Sequence, residues 1–263
     1  MIYAIETVNL TKEFIPSKNL INLHSLFFQK RNSILAVDNV NLQIGSGELF
    51  GLVGPNGAGK TTLIKMLSCL ILPTRGTAKV AGYSILEDEE KVESSIGLIT
   101  SNERGFYWRL TGRQNLHFFA TIYGLSPMQA KKKIKELSII LEIEDQLDKR
   151  FQEYSTGIKQ RLSIVRGLLG DPPILFMDEP TMSLDPISSR SIKMIIKKKL
   201  VREQGKTVIF ITQLLSEADE LSDRLAIMDR GRIKVCGSLD VLKNSLGIPE
   251  VTIEDVFNYY TID

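Results

Sequence analysis

Three glycines, a lysine and a threonine are packed into the octapeptide Gly54-Pro55-Asn56-Gly57-Ala58-Gly59-Lys60-Thr61, followed by Thr62. That spacing suits a loop whose backbone N–H groups curl around phosphates while a helix that begins there points its positive end at the same anion. Lys60 is spaced to reach the β and γ phosphates, and the Thr61 hydroxyl to ligate Mg²⁺. A second set lies far along the chain, where the apolar run Ile174-Leu175-Phe176-Met177 ends in Asp178-Glu179. Asp178 is expected to share the Mg²⁺ with Thr61. Glu179 is expected to polarise a water attacking the γ phosphate, the acid-then-base order of enzymes that hydrolyse ATP with water.

These groups need elements to hold them. Glu48 to Val53 reads as the buried strand that delivers the loop, and Thr62 to Leu67 as the helix that leaves it. Ile2 to Leu10 and Val40 to Ile44 alternate as short strands, with a turn at Gly45-Ser46-Gly47, the start of an antiparallel β flap. Thr77 to Val80 and Ile96 to Thr100 are further strands. Thr111 to Tyr123 and Pro127 to Leu141 carry helical spacing. From Pro173 strands and helices alternate: Ile174 to Met177, a helix from Pro186 to about Glu203, Thr207 to Thr212, a short helix around Ser216 to Leu221, and Arg224 to Met228. The fold class that follows is α/β, a parallel sheet with flanking helices, joined to the flap and to a helical subdomain. Its parts are expected at 1–100 and 172–237 for core and flap, 101–171 for the helical subdomain, and 238–263 for a tail.

Composition narrows the partners. The chain has 263 residues and a net charge of +2, so no electrostatic case exists for nucleic acid. Lys131-Lys132-Lys133 and Lys197-Lys198-Lys199 fall on helices with apolar opposite faces and read as solvated surface. Cys69 and Cys236 lie in apolar stretches and read as buried thiols of a reducing compartment. No leader and no apolar run of membrane-spanning length is evident, so a cytoplasmic location is expected, with any membrane role exercised through a partner. Pro16 to Leu35 is an apolar-rich insertion where two strands should be nearly continuous; it packs either on the protein's own flap or on a partner or membrane surface.

Tyr154-Ser155-Thr156-Gly157-Ile158-Lys159-Gln160 precedes a helix, where Ser155 by itself is an ordinary cap. Placed between the loop and Asp178, it resembles the signature of the nucleotide-binding subunits of ABC transporters. That resemblance covers essentially the whole chain apart from the insertion. It implies that Ser155 and Gly157 meet the ATP held by a second subunit, in a homodimer or a heterodimer. It makes Asp185, in Ser183-Leu184-Asp185, part of a D-loop and Phe14 the aromatic that stacks on adenine. It also implies a membrane-spanning permease as partner. Arg109 to Leu116 and Ile253 to Phe257 resemble the branch that contains antibiotic, sodium and polysaccharide exporters. Two positions depart from the family. Gln213 stands where it has a switch histidine, and His24 and His117 lie elsewhere. No glutamine occupies the Q-loop, where Asn102 or Ser101 aligns; Asn102 keeps an amide oxygen and is the favoured Mg²⁺ or water contact. Rival readings are a non-transport ABC ATPase acting on nucleic acid or ribosomes, and a weakly hydrolysing member of a heterodimer.

Overall fold

The computed structural model describes residues 3–15, 33–100, 105–244, 246–247 and 251–261. The elements, in chain order, are β1 (Tyr3–Phe14), β2 (Ile34–Gly45), β3 (Leu49–Val53), α1 (Lys60–Leu67), β4 (Arg75–Val80), β5 (Tyr83–Ser84), α2 (Glu89–Ser95), β6 (Ile96–Thr100), α3 (Gly112–Ile122), α4 (Pro127–Ile140) and α5 (Thr156–Leu168). Then follow β7 (Ile174–Asp178), α6 (Pro186–Met194) running on as a π-helix (Ile195–Glu203), β8 (Thr207–Thr212), α7 (Leu215–Leu221), β9 (Arg224–Asp229), β10 (Arg232–Gly237), α8 (Leu239–Asn244) and α9 (Ile253–Thr261).

Two sheets result. A six-stranded sheet runs in the order β10-β9-β3-β8-β7-β6, parallel except for the β9–β10 pair. A four-stranded antiparallel sheet runs β2-β1-β4-β5 and is the flap. The continuous apolar runs of the central strands are explained by helices or flap on both faces. Alternation sorts them: Phe50, Leu52, Phe176, Ile209 and Ile211 join the flap residues Ile5, Leu10, Val37 and Ile44 in one core. Leu49, Leu175, Met177, Val208 and Phe210 point the other way, into a core shared with α3, α4, α5 and α6. Truncating a side chain as enclosed as Phe176, which has no exposed surface, would cost about 3–5 kcal/mol.

The helical region is punctuated by caps. Thr111 and Ser126 each form a reciprocal capping box, with Gln114 and Gln129 respectively, and Pro127 occupies the first turn of α4. The strands of the flap are longer than the alternation predicts, because pairing of Phe14 with Ile34 and Glu13 with Leu35 extends the β1–β2 ladder. Ile34 and Leu35 therefore belong to β2 rather than to the insertion, whose residues 16–32 lie outside the described set. The two cysteines are half-buried, not buried. Burial raises the Cys69 thiol to about 11 and also pushes the Cys236 thiol up. Lysine clusters lie on outward faces as expected, and Lys133 and Lys199 pair with Asp171 and Glu203.

Candidate functional site

β3 enters the loop at Gly54, where a Cβ would stand 2.1 Å from the carbonyl oxygen of Met228. Only glycine lets this chain pass β9 so closely. Gly57 and Gly59 have φ of +80° and +103°, so the loop turns where L side chains would be strained. At Gly59 a Cβ would also meet the Ala36 carbonyl oxygen at 2.1 Å. Backbone bonds fix the loop from outside: Ala58 accepts from the Gly231 N–H at 2.9 Å, and Gly231 accepts from the Asp38 N–H at 2.8 Å. No side chain caps α1, so the amides of its first turn face an anion site. Asn56 through Thr62 line a cleft of about 350 Å³ together with Asp178, Glu179, Ile211, Arg230 and residues 34–36 of β2.

Lys60 is 7% exposed, and its ammonium donates to the carbonyl oxygens of Gly54 at 2.7 Å and Pro55 at 2.9 Å. Burial lowers its pKa, and the carboxylates of Glu179 and Asp178 oppose that shift. Asp178 ends β7 on the far side of the same charge. Its pKa is raised by burial and by Glu179, and held back by Lys60 and by a hydrogen bond from the Thr61 hydroxyl. Thr61 and Asp178 thus meet as hard oxygen donors, the set Mg²⁺ prefers when phosphates and waters complete its shell. The loop's glycines, its free amides and this oxygen pair fit a magnesium nucleotide.

Glu179 follows Asp178 with a left-handed φ of +51°. That conformation turns its carboxylate out of the strand direction and toward β8. Its N–H donates to the Ile211 carbonyl at 2.9 Å, and its carboxylate accepts a short bond from the side-chain amide of Gln213. An acid that can take a proton from water is therefore oriented by an uncharged donor.

The structure gathers some of the expected residues and separates others. Lys60, Thr61, Asp178, Glu179 and Gln213 converge. Phe14 lies at the end of β1, opposite Ile34 of the cleft wall, with the Lys12 ammonium 5.2 Å from its ring centre. Ser155, Gly157 and Asp185 do not line the cleft. Ser155 caps α5 by accepting from the Ile158 N–H, and Asp185 caps α6 by accepting from Ile187 and Ser188 at 3.0 and 2.9 Å. The Ser188 hydroxyl, and with it these backbone bonds, holds the Asp185 carboxyl below its usual range. Gly157 packs against Ser188, since a Cβ there would lie 3.0 Å from that hydroxyl. The signature segment and the start of α6 are thus one surface. Asn102 and Ser101, like His24, lie outside the described residues; His117 sits on α3, away from the cleft.

Sequence reasoning missed two features. Arg230 and residues 34–36 wall the cleft, with Arg230 following a strand-ending Asp229 and preceding Gly231, a turn pattern that was a signal. The Glu217 carboxylate is buried beneath the site, bonded to the hydroxyls of Thr181 and Thr212.

Comparison with known proteins identifies the family. The family model described as "ABC transporter" matches residues 37–182. The chain is 35% identical to the ABC transporter ATP-binding protein NatA of Bacillus subtilis, over 83% of this chain and 88% of that protein. It is 37% identical to the daunorubicin/doxorubicin resistance ATP-binding protein DrrA of Streptomyces peucetius over 82% of its length, and spans 64% of that relative. A dimeric ATP-binding cassette solved in a post-hydrolysis state with ADP and Pi superimposes with a TM-score of 0.74 at 26% identity, covering 89% of this chain and 98% of that one. A match over more than half the chain, relatives 35% and 37% identical over more than four fifths of it and a shared architecture carry one conclusion: the chain belongs to the ABC transporter family, as an ATP-binding subunit that hydrolyses ATP.

Proposed function

We propose that the chain works as a dimer that binds Mg·ATP between subunits and powers export through a separate membrane permease. The observation that carries this reading is the division of the chemistry over two surfaces. Lys60, Thr61, Asp178 and Glu179 line one cleft, with Gln213 bonded to Glu179 at its edge, while Ser155 and Gly157 present a capped helix end elsewhere. A helix N-terminus completes an anion site only when an anion reaches it, and the bound nucleotide of a second copy is such an anion. Asp185, at the neighbouring cap, is assigned to the same seam.

The loop amides and the Lys60 ammonium hold the β and γ phosphates. The Thr61 hydroxyl and the Asp178 carboxylate hold Mg²⁺, which when bound offsets charge on those phosphates. Glu179 accepts the proton of the attacking water, and Gln213 keeps the Glu179 carboxylate turned toward the cleft. Phe14 supplies an aromatic face for adenine, and Asn102 is assigned to the water or Mg²⁺ contact.

Export rests on similarity to NatA and to the resistance protein DrrA. A separate permease is supported by two observations. No helix among the described residues is long and apolar enough to cross a membrane. Tyr107, Trp108, Phe118, Ile122 and Tyr123 are 40–65% exposed around α3, with the Tyr107 and Phe118 rings 4.9 Å apart, an apolar face suited to a partner. We assign the subunit to the cytoplasmic side of its permease on likeness to the family. The test is Glu179→Gln. It should bind Mg·ATP, accumulate as a dimer in sedimentation and lose hydrolysis by about 10²-fold or more; turnover above half the normal rate overturns the assignment.

A further inference from the structure

Glu217 is 4% exposed on α7, four residues beyond Gln213, and both of its carboxylate oxygens are used. Oε1 accepts from the hydroxyl of Thr181, and Oε2 accepts from the hydroxyl of Thr212 at 2.5 Å. Thr181 lies two residues past Glu179, and Thr212 immediately precedes Gln213. Both threonines are themselves buried, at 5% and 2% exposure. The Thr212 hydroxyl also accepts from the Leu214 N–H at 3.1 Å, which leaves its single proton for Glu217.

The two chain segments that carry Glu179 and Gln213 are therefore tied at three levels. Their backbones meet through the Glu179 N–H and the Ile211 carbonyl, their side chains meet directly, and beneath both the Glu217 carboxylate spans Thr181 and Thr212. The left-handed backbone at Glu179 and again at Ser183, with φ of +51° and +63°, makes the segment between them one that needs external bonds to keep its shape. An acid buried among apolar residues with both oxygens paired is a costly way merely to fill space; apolar neighbours such as Ala218 and Leu221 do that on the same helix.

We propose that Glu217 is a positioning residue for hydrolysis: its carboxylate clamps Thr181 to Thr212 and so fixes the relative placement of Glu179 and Gln213. The clamp touches neither the loop nor Lys60, so it governs turnover and not nucleotide affinity. The inference rests on Glu179 acting as the base. Glu217→Ala removes both bonds; Glu217→Gln keeps the length, one acceptor oxygen and a donor that only a rotated threonine hydroxyl can meet. Thr181→Val removes one bond without changing shape and serves if the alanine variant is poorly folded.

The experiment measures single-turnover ATP hydrolysis and ATP dissociation constants for the full chain carrying each variant, alone and with Glu179→Gln. A displacement of about 1 Å costs on the order of 10²-fold in rate. The expected result is a fall in turnover of about 10- to 100-fold for Glu217→Ala, a smaller fall for Thr181→Val and partial recovery in Glu217→Gln, with ATP affinity within about twofold of normal. In the Glu179→Gln background the same substitutions should cost nothing further, because the group they position is gone. Equal losses in both backgrounds, or ATP affinity falling with turnover, would show a structural role only. Unchanged turnover in Glu217→Ala overturns the clamp while leaving the base intact; unchanged turnover in Glu179→Gln alone overturns the base reading beneath it.

Discussion

The side-chain amide of Gln213 donates a hydrogen bond to the carboxylate of Glu179. A primary amide holds that bond at every pH at which the acid is ionised, because it has no proton to gain or lose. Gln213→Ala should lower turnover by about tenfold or more, in line with the loss of one fixed donor at a reacting centre. Gln213→His should raise turnover with little change in ATP affinity and introduce an inflection near pH 6.5 that the Gln form lacks. Single-turnover rates between pH 5.5 and 8.5 decide it, and identical profiles for the two forms would show that the position does not act on the base.

Lys60→Ala should weaken ATP binding itself. Its ammonium lies within the loop, with the Gly54 and Pro55 carbonyls as acceptors at 2.7 and 2.9 Å, and burial lowers its pKa against the opposing pull of Glu179 and Asp178. Removing the charge leaves Asp178 and Glu179 without their counterion facing an anionic substrate. Titration calorimetry should show a loss of about tenfold or more in affinity, whereas an unaltered dissociation constant contradicts the phosphate site.

Ser155 carries two separable contributions. As the cap of α5 its replacement by alanine should cost about 1 kcal/mol of stability. Ser155→Arg should in addition place a cation where the partner's nucleotide is proposed to dock. That variant is expected to bind ATP as a monomer and to fail to dimerise in sedimentation, and normal ATP-induced dimers count against the shared site.

Arg161 of the signature helix joins three elements. It donates to the Leu141 carbonyl and the Glu142 carboxylate, each at 2.7 Å, and to the Ser191 hydroxyl at 2.8 Å. The guanidinium holds Glu142 below the usual carboxylate range. A depressed acid contributes stability that is complete above about pH 4.3 and is lost as pH falls through the lowered value. Glu142→Gln should therefore lower the melting temperature slightly at pH 7, the carboxylate being largely exposed, and the difference should close toward pH 3. A constant difference across that range would mean that the charge plays no part.

Local signals were legible where one segment carries a whole instruction. The loop from Gly54 to Thr62 is specified by glycines at positions of positive φ or of contact with β9, and the strand before it by uninterrupted burial. Ile96–Thr100 and Thr207–Thr212 were readable to the residue because each is a short run rich in β-branched residues, half-buried at the sheet edge in the first and buried throughout in the second. The far ends of β1 and β2 were not, since Phe14 and Ile34 are extended only by pairing with each other. The half-burial of Cys69 and Cys236 was equally hidden, because an apolar neighbourhood in sequence does not state which side chains close over a thiol.

The sequence by itself determined which pieces are candidates for chemistry: a phosphate loop, an oxygen pair proposed for Mg²⁺, a proposed base, a capped helix that resembles the signature and an amide where a histidine was expected. Residue type and spacing suffice for these because each is written within a few consecutive positions. Only the tertiary structure decided how they meet. Parallel pairing of β3 with β8 and of β8 with β7 brings residues 60, 179 and 213 to one end of the sheet. Burial of Glu217 between Thr181 and Thr212 then locks two of those strand ends together. Contacts between segments more than thirty residues apart depend on strand order and on which polar groups the core must satisfy, and neither is encoded in any one window of the chain.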